Sequence, residues 1–495
     1  MDISPENTPL LNALLDHIRL TPAPFHMPGH KGRMGAFEDM ASMAALDVTE
    51  LPDTGNLYEG VDPYTGELDP IAQAEGLWAD AWGFPNCQFL TCGSTQGLHA
   101  ALLLCAQEKG AILVDRCSHR SVYNALAMWD MWPMYLMRRQ DEPLAPQLLE
   151  GAFKRMEAAG HKATSVCITS PTYYGVLSDI PALAQIAHAH GAKLIVDGAH
   201  GCHLPFLQDE NPFKGADLVV SSAHKTLPVY GQGALLFGSD RYTPRDLRWA
   251  ASVCGTSSPS YPIMASMDYA RAWAQSPQGL RDLQGAVAGV EQLRREFVTL
   301  TMGDLENRAL DPKTLAGAGL DPMRLTLLVD ANAADGYQVK EYLEAMGIFP
   351  EMADRDHVVL LLSPQNTDRD IERLRKRLKE AQVAWPQLFG MYYPLPDPPG
   401  PHIELSPAMA LKAPRILRPL DECVGKVCLQ QVAPYPPGVP VIAPGERVTK
   451  KGLAYLKEVE YNITEPVWVL DEDKWDGRRE QAVLDNRNDI PSAFL

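Results

Sequence analysis

Lys225 closes the run Ser221-Ser222-Ala223-His224-Lys225, directly after the apolar Leu218-Val219-Val220. A lysine just past a buried strand is poorly explained as a solvated surface charge. Desolvation and nearby groups lower its pKa, and the free amine that results is a nucleophile able to form an imine with a carbonyl. Asp197 holds the equivalent place after Leu194-Ile195-Val196. A carboxylate there either meets a cation, such as a protonated pyridine nitrogen, or caps the turn Gly198-Ala199-His200-Gly201. Cys92-Gly93-Ser94-Thr95-Gln96-Gly97 follows Phe89-Leu90 and opens a helix. Free N–H groups, hydroxyls and the positive dipole end make such a turn a phosphate cradle, or else an ordinary N-cap. His119, in Arg116-Cys117-Ser118-His119-Arg120-Ser121, follows the apolar Ala111–Val114. Its imidazole is placed either to stack on a pyridine face or to begin a surface helix.

Singly, each of these is ambiguous. Together they run hydroxyl loop, His, Asp and Lys, each at the end of its own strand, and that order suits pyridoxal phosphate. Ser222, three residues before Lys225, adds a hydroxyl for the phosphate, and Gly231-Gln232-Gly233 adds a flexible turn beside the site. The rival nucleotide and hydrolase signatures are missing: there is no G-x-x-x-x-G-K-[ST], no strand-to-helix G-x-G-x-x-G, no H-E-x-x-H and no G-x-S-x-G.

The elements that must position these residues are legible as alternation. Ala111–Val114, Val166–Thr169, Leu194–Val196 and Leu218–Val220 are short apolar runs of the buried parallel-strand kind. Helices are expected at Gly97–Gln107 and Pro181–His190 between them. The fold class is therefore α/β with a mostly parallel sheet, whose ligand sites gather at the C-terminal strand ends. Beyond about residue 280 the texture changes. A long helix is expected at Asp282–Leu300, then strands at Leu325–Val329 and Val358–Leu362 and helices at Gly336–Met346 and Asp370–Ala381. The expected organisation is an N-terminal arm (1–45), a cofactor-binding large domain (46–275), a small α+β domain (276–390) and a C-terminal domain (391–495).

The 495 residues exceed what one core holds, and 46% hydrophobic with 21% charged content is ordinary for a globular chain. A net charge of −18 argues against a broad nucleic-acid or anionic-membrane surface, while leaving a cationic substrate attractive. The acidic start does not read as a targeting peptide, and no apolar run approaches membrane-spanning length. Nine scattered cysteines without C-x-x-C spacing fit reduced thiols and a cytoplasmic location, with no metal site.

The chain resembles the Orn/Lys/Arg decarboxylases, fold-type-I pyridoxal-phosphate enzymes acting on basic amino acids. The resemblance is carried in order by PFHMPGHKGR (24–33), DVTELPDTGNLYEG (47–60), CGSTQGLHAALL (92–103), RCSHRSVYNAL (116–126) and TSPTYYG (169–175). It continues through VDGAHGCHLPF (196–206), SSAHK (221–225), TSSPSYPIMASMDYAR (256–271) and PYPPGVPVIAPGE (434–446). It implies a fold-type-I large domain, a small α+β domain and a C-terminal segment.

By that resemblance Lys225 carries pyridoxal 5'-phosphate as a Schiff base, Asp197 pairs with the ring nitrogen and His119 stacks on the ring. Ser94, Thr95 and Ser222 hold the phosphate, His200 sits near the ring and His224 handles protons. The family's sites lie at a homodimer interface, where Thr256 and Ser258 are expected to reach the partner's phosphate. Glu446 is expected to meet the substrate's distal cation, with Glu50, Asp53, Glu59 and Asp62 as alternates. The implied reaction is α-decarboxylation of arginine, lysine or ornithine, in that order of preference, to CO2 and a polyamine-type amine. Another fold-type-I reaction, such as transamination, or a non-catalytic regulator on the same fold, are the competing readings. Two departures stand out. The PFHMPGH segment begins near residue 24, without the receiver-like domain that precedes it in longer members, so a dimer or a tetramer of dimers is expected rather than a decamer. Cys92 replaces the asparagine common in relatives.

Overall fold

The computed structural model describes residues 23–25, 70–108, 110–306, 317–389, 397–434 and 438–475. Strand β1 (Ala23–Phe25) lies apart from the central sheet. Seven strands form that sheet: β2 (Asn86–Leu90), β3 (Ala111–Asp115), β4 (Pro133–Leu136), β5 (Ala163–Thr169), β7 (Lys193–Asp197), β8 (Leu218–Ser221) and β9 (Ala234–Gly238). The two-residue β6 (Val176–Leu177) stands outside it. The spatial order is β2-β9-β8-β7-β5-β3-β4. Strand β9 is antiparallel to both its neighbours and the other pairs are parallel, so six strands point one way.

The apolar runs are strands because both faces of the sheet are covered. Leu113, Val166, Ile168, Leu194, Val196 and Val219 pack into the core on one side. Ile112, Val114, Cys167, Ile195, Leu218 and Val220 alternate into the core on the other. That period of two is what a pleated strand buried on both faces requires. Helix Gly93–Ala106 packs close to β8 because Gly97 has no side chain. A Cβ there would lie 2.6 Å from Val220 and 2.7 Å from Leu90. The close approach holds the start of this helix against the strand that leads to Lys225.

A smaller sheet follows, with β11 (Arg324–Leu328) and β13 (Met352–Ala353) on either side of β14 (His357–Leu361). Its core also takes in Ala23 and Phe25 of β1, which pairs in parallel with β12 (Ile348–Pro350). Strand β10 (Gly319–Leu320) pairs with β6 and ties this unit to the loop after β5. Near the C-terminus β15 (Arg415–Pro419) and β16 (Pro466–Leu470) form a two-stranded sheet, and β16 shares a further core with helix Lys450–Glu458.

Two expectations need correction. The long helix spans Pro277–Glu296, not Asp282–Leu300. Ser276 caps it, accepting from the Gly279 N–H at 3.0 Å. The β-branched Val298 and Thr299 then run extended along the open edge of β11, with Leu300 N–H donating to the Thr326 carbonyl at 2.9 Å. An edge with unpaired backbone groups and β-branched residues outweighs continued helix there. The second correction is at Ser94 and Thr95, which lie inside the first turn of a helix beginning at Gly93 rather than in a loop before it.

No helix among the described residues is long and apolar enough to cross a membrane. All nine cysteine thiols are free.

Candidate active site

Strands β2, β3, β5, β7 and β8 run in one direction, so their C-terminal ends meet along one edge of the sheet. That edge brings together most of the residues singled out from the sequence. Lys225 sits in the one-turn helix Ala223–Thr226 after β8, with Nζ 3.0 Å from His200 Nε2. Burial pushes the lysine below its ordinary pKa. The Asp197 and Glu351 carboxylates oppose that shift, and the Arg324 guanidinium adds to it.

Asp197, the last residue of β7, is 3% exposed and accepts from the Ala199 N–H at 3.2 Å. Burial raises its pKa to about 6 even against the pull of Lys225. The carboxyl is thus short of cationic partners, and a protonated ring nitrogen would supply one.

His119 does two things at once. Its Nδ1 accepts from the Ser121 N–H at 3.3 Å, capping helix Arg120–Met128. Burial, then the charge of Lys225, then that of Arg120, lower its pKa to about 4, so the ring facing the site is neutral. His224 hydrogen-bonds the Gly233 carbonyl through Nδ1 at 3.0 Å. A carbonyl only accepts, so Nδ1 carries a proton.

Ser222 Oγ is buried without a hydrogen-bond partner. The helix beginning at Gly93 has no side-chain cap: Cys92 holds the cap position and makes no capping bond. Ser94 is half-buried and Thr95 exposed, both in that first turn. An orphan hydroxyl, an uncapped helix start and a buried carboxyl short of a cation are what a phosphorylated pyridinium would satisfy together.

Thr256 and Ser258 are exposed on a turn, their hydroxyls 3.2 Å apart. Residues Glu50, Asp53, Glu59 and Asp62, most of the segment at 24–33, and all of that at 47–60, lie outside the described residues.

Glu446 already has a partner within the chain. It is 3% exposed and forms a two-pronged ion pair with Arg116, at 2.7 and 2.9 Å, while accepting from the Ala443 N–H at 2.9 Å. Arg116 in turn lies over the ring of Tyr135, 4.6 Å from its centroid. An acidic residue in a Pro-Gly-Glu turn gives no sign in the sequence of a buried cation some 330 residues earlier. Glu446→Gln should therefore leave Arg116 buried without its counter-charge and cost about 3–5 kcal/mol of stability. Denaturant melts check this. Loss of substrate affinity in a Gln variant of unchanged stability would instead support the substrate role.

Three residues at the site carried no assigned role in the sequence reading: Arg324, Tyr173 and Glu351. Arg324 is 1% exposed, with Nη1 donating to the Tyr173 carbonyl at 2.9 Å and Nη2 donating to His200 Nδ1 at 3.0 Å. Its aliphatic stem crosses Gly175, where a Cβ would stand 2.7 Å from Arg324 Cγ. The Tyr173 ring meets His200 edge-on, centroids 4.8 Å apart, and its hydroxyl bonds Glu351. An arginine opening an otherwise apolar strand (Arg-Leu-Thr-Leu-Leu, β11) was the available signal.

The parallel sheet, with its lysine and buried aspartate at adjacent strand ends, defines the class: fold-type-I pyridoxal-phosphate enzymes. The major domain of the Orn/Lys/Arg decarboxylases matches residues 8–318, and their C-terminal domain matches residues 408–465. The chain belongs to the Orn/Lys/Arg decarboxylase family, and is a decarboxylase by that membership. It is 32% identical over 477 residues to the uncharacterized protein YaaO of Bacillus subtilis (strain 168), covering 92% of this chain and 94% of that one. To the arginine decarboxylase of the same organism it is 27% identical over 467 residues, again covering 92% and 94%. The structure of Escherichia coli constitutive lysine decarboxylase shares the fold, with a TM-score of 0.70 at 20% identity over 90% of this chain and 79% of that one.

Proposed function

We propose that the protein decarboxylates a basic amino acid at Lys225 with pyridoxal phosphate, arginine being the first candidate substrate and lysine and ornithine the next. The observation that carries this reading is the Lys225 amine, its pKa lowered by burial, 3.0 Å from His200 and beside a buried aspartate short of a cation. Relatives named as arginine decarboxylases support the choice of substrate.

Pyridoxal phosphate, when bound, supplies an electron sink for the pair released as the carboxylate departs. The chain's own residues do the rest. Lys225 provides the anchoring amine, and Asp197 keeps the ring nitrogen protonated by pairing with it. Ser222, Ser94, Thr95 and the helix start at Gly93 hold the phosphate. Neutral His119 packs against the ring without adding charge. His224, next to Lys225 in the chain, is the candidate to carry a proton to or from the substrate carbon.

A homodimer completes this reading. The exposed hydroxyls of Thr256 and Ser258 are available to a partner's phosphate, and they bond each other meanwhile. Nine unbridged thiols support a reducing, cytoplasmic setting.

The test is a substrate panel. Purified protein supplied with pyridoxal phosphate is incubated with arginine, lysine and ornithine, and CO2 and amine are quantified together. Equal yields from one substrate are expected. A keto acid without CO2 would assign a transaminase reaction instead.

A further inference from the structure

We propose that Arg324 is a positioning residue that fixes His200 as its Nε2–H tautomer, so that His200 donates to Lys225 and holds it as the neutral amine. The functional consequence rests on the reading of Lys225 as the cofactor lysine; the tautomer itself does not.

Hydrogen-bond donors at the site set the tautomer. A guanidinium has five N–H donors and no acceptor, so the 3.0 Å contact from Arg324 Nη2 requires a lone pair on His200 Nδ1. A neutral imidazole has one lone-pair nitrogen and one N–H, so the proton must sit on Nε2. That N–H points at Lys225 Nζ, 3.0 Å away. An ammonium cannot accept a hydrogen bond, whereas a neutral amine can. A protonated Lys225 would need a second lone pair on a ring that has none left, and a doubly protonated His200 would turn an N–H against the guanidinium. The arrangement with a neutral ring and a neutral amine satisfies both contacts.

Arg324 is held to this task. It is 1% exposed, its Nη1 is tied to the Tyr173 carbonyl at 2.9 Å, and the absence of a side chain at Gly175 makes room for its stem. Tyr173 packs edge-on against the imidazole, so the ring is gripped from the side as well.

The charges facing the pair agree. His200 is held well below its ordinary pKa by burial first, then by Lys225, Arg324, His119 and His224. Facing Lys225, the Asp197 and Glu351 carboxylates favour the ammonium, while burial and Arg324 disfavour it. A hydrogen bond from His200 adds to the side that leaves the amine free. The device keeps the nucleophile ready before any cofactor arrives.

The experiment uses the cofactor-free protein. Nitrogen NMR of 15N-histidine-labelled protein, with His200 assigned by its loss in His200→Gln, reads the tautomer directly. The expected wild-type signal is a lone pair on Nδ1 and a proton on Nε2; the reverse tautomer, or an imidazolium near neutral pH, would overturn the proposal. In Arg324→Met, which removes the donor, His200 should leave this tautomer. The pH midpoint for uptake of pyridoxal phosphate, read by visible absorption, should also rise by about 1 unit, equivalent to about tenfold slower uptake below it. Arg324→Lys, which keeps a donor, should restore the tautomer, a recovery that a purely structural role does not demand. An unchanged tautomer in folded Arg324→Met overturns the proposal, and if that variant does not fold the wild-type signal decides alone. Failure of wild type to take up pyridoxal phosphate at any pH would instead sink the cofactor reading, with the tautomer still measured.

Discussion

Lys225→Ala is expected to lower decarboxylation on the order of 10^4-fold or more, because it removes the amine that both anchors the cofactor and exchanges with the substrate. The same substitution should abolish the lysine-dependent visible band that appears when pyridoxal phosphate is added to wild type. The fold should survive. Lys225 is half-buried, and its hydrogen-bond contact is His200 rather than a carboxylate, so truncation breaks no direct ion pair. Single-turnover decarboxylation and absorption spectra check the two effects together. Activity within tenfold of wild type would remove Lys225 from the chemistry.

Asp197→Asn is expected to lower kcat by roughly 10^2–10^3, the usual cost of losing one preorganised electrostatic partner of a developing charge. Cofactor uptake should change little, since the phosphate contacts lie elsewhere. The cofactor-free protein gives a second readout with a definite sign. The Asp197 pKa is raised from 3.8 to about 6, chiefly by burial, so the folded state binds its proton more tightly than the unfolded chain. The stability from that proton is fully present below 3.8 and is lost as pH rises to about 6. Asparagine has no such dependence. Wild type should therefore lose stability relative to Asp197→Asn between pH 4 and 6, on the order of 2 kcal/mol across the window. Urea melts of both proteins across that range measure it. Parallel pH profiles would mean that Asp197 is ionised and paired in the cofactor-free state.

The large sheet was legible because strands buried on both faces read as uninterrupted apolar runs. Leu194–Val196 and Leu218–Val220 mark their strands to within a residue at each end. Lys225, Asp197 and His119 were singled out for a related reason: polar residues just after such runs stand at strand ends, and strand ends of one parallel sheet converge; His200 entered only through the family resemblance. Glu446 and Arg324 show where that logic stops. Each meets its partner across more than a hundred residues of chain, Glu446 at Arg116 and Arg324 at His200, and no local pattern encodes such a meeting. The end of the long helix failed for another reason. Phe297–Thr301 suits helix or strand about equally in local terms, and the open edge of β11 decides.

Lys225, at its strand end, is expected to carry pyridoxal phosphate. Borohydride reduction of the protein after incubation with pyridoxal phosphate, followed by peptide mapping, tests it directly. A phosphopyridoxyl group on Lys225, one per chain, is the predicted result. Labelling of a different lysine, or none in a folded protein saturated with the cofactor, would contradict it.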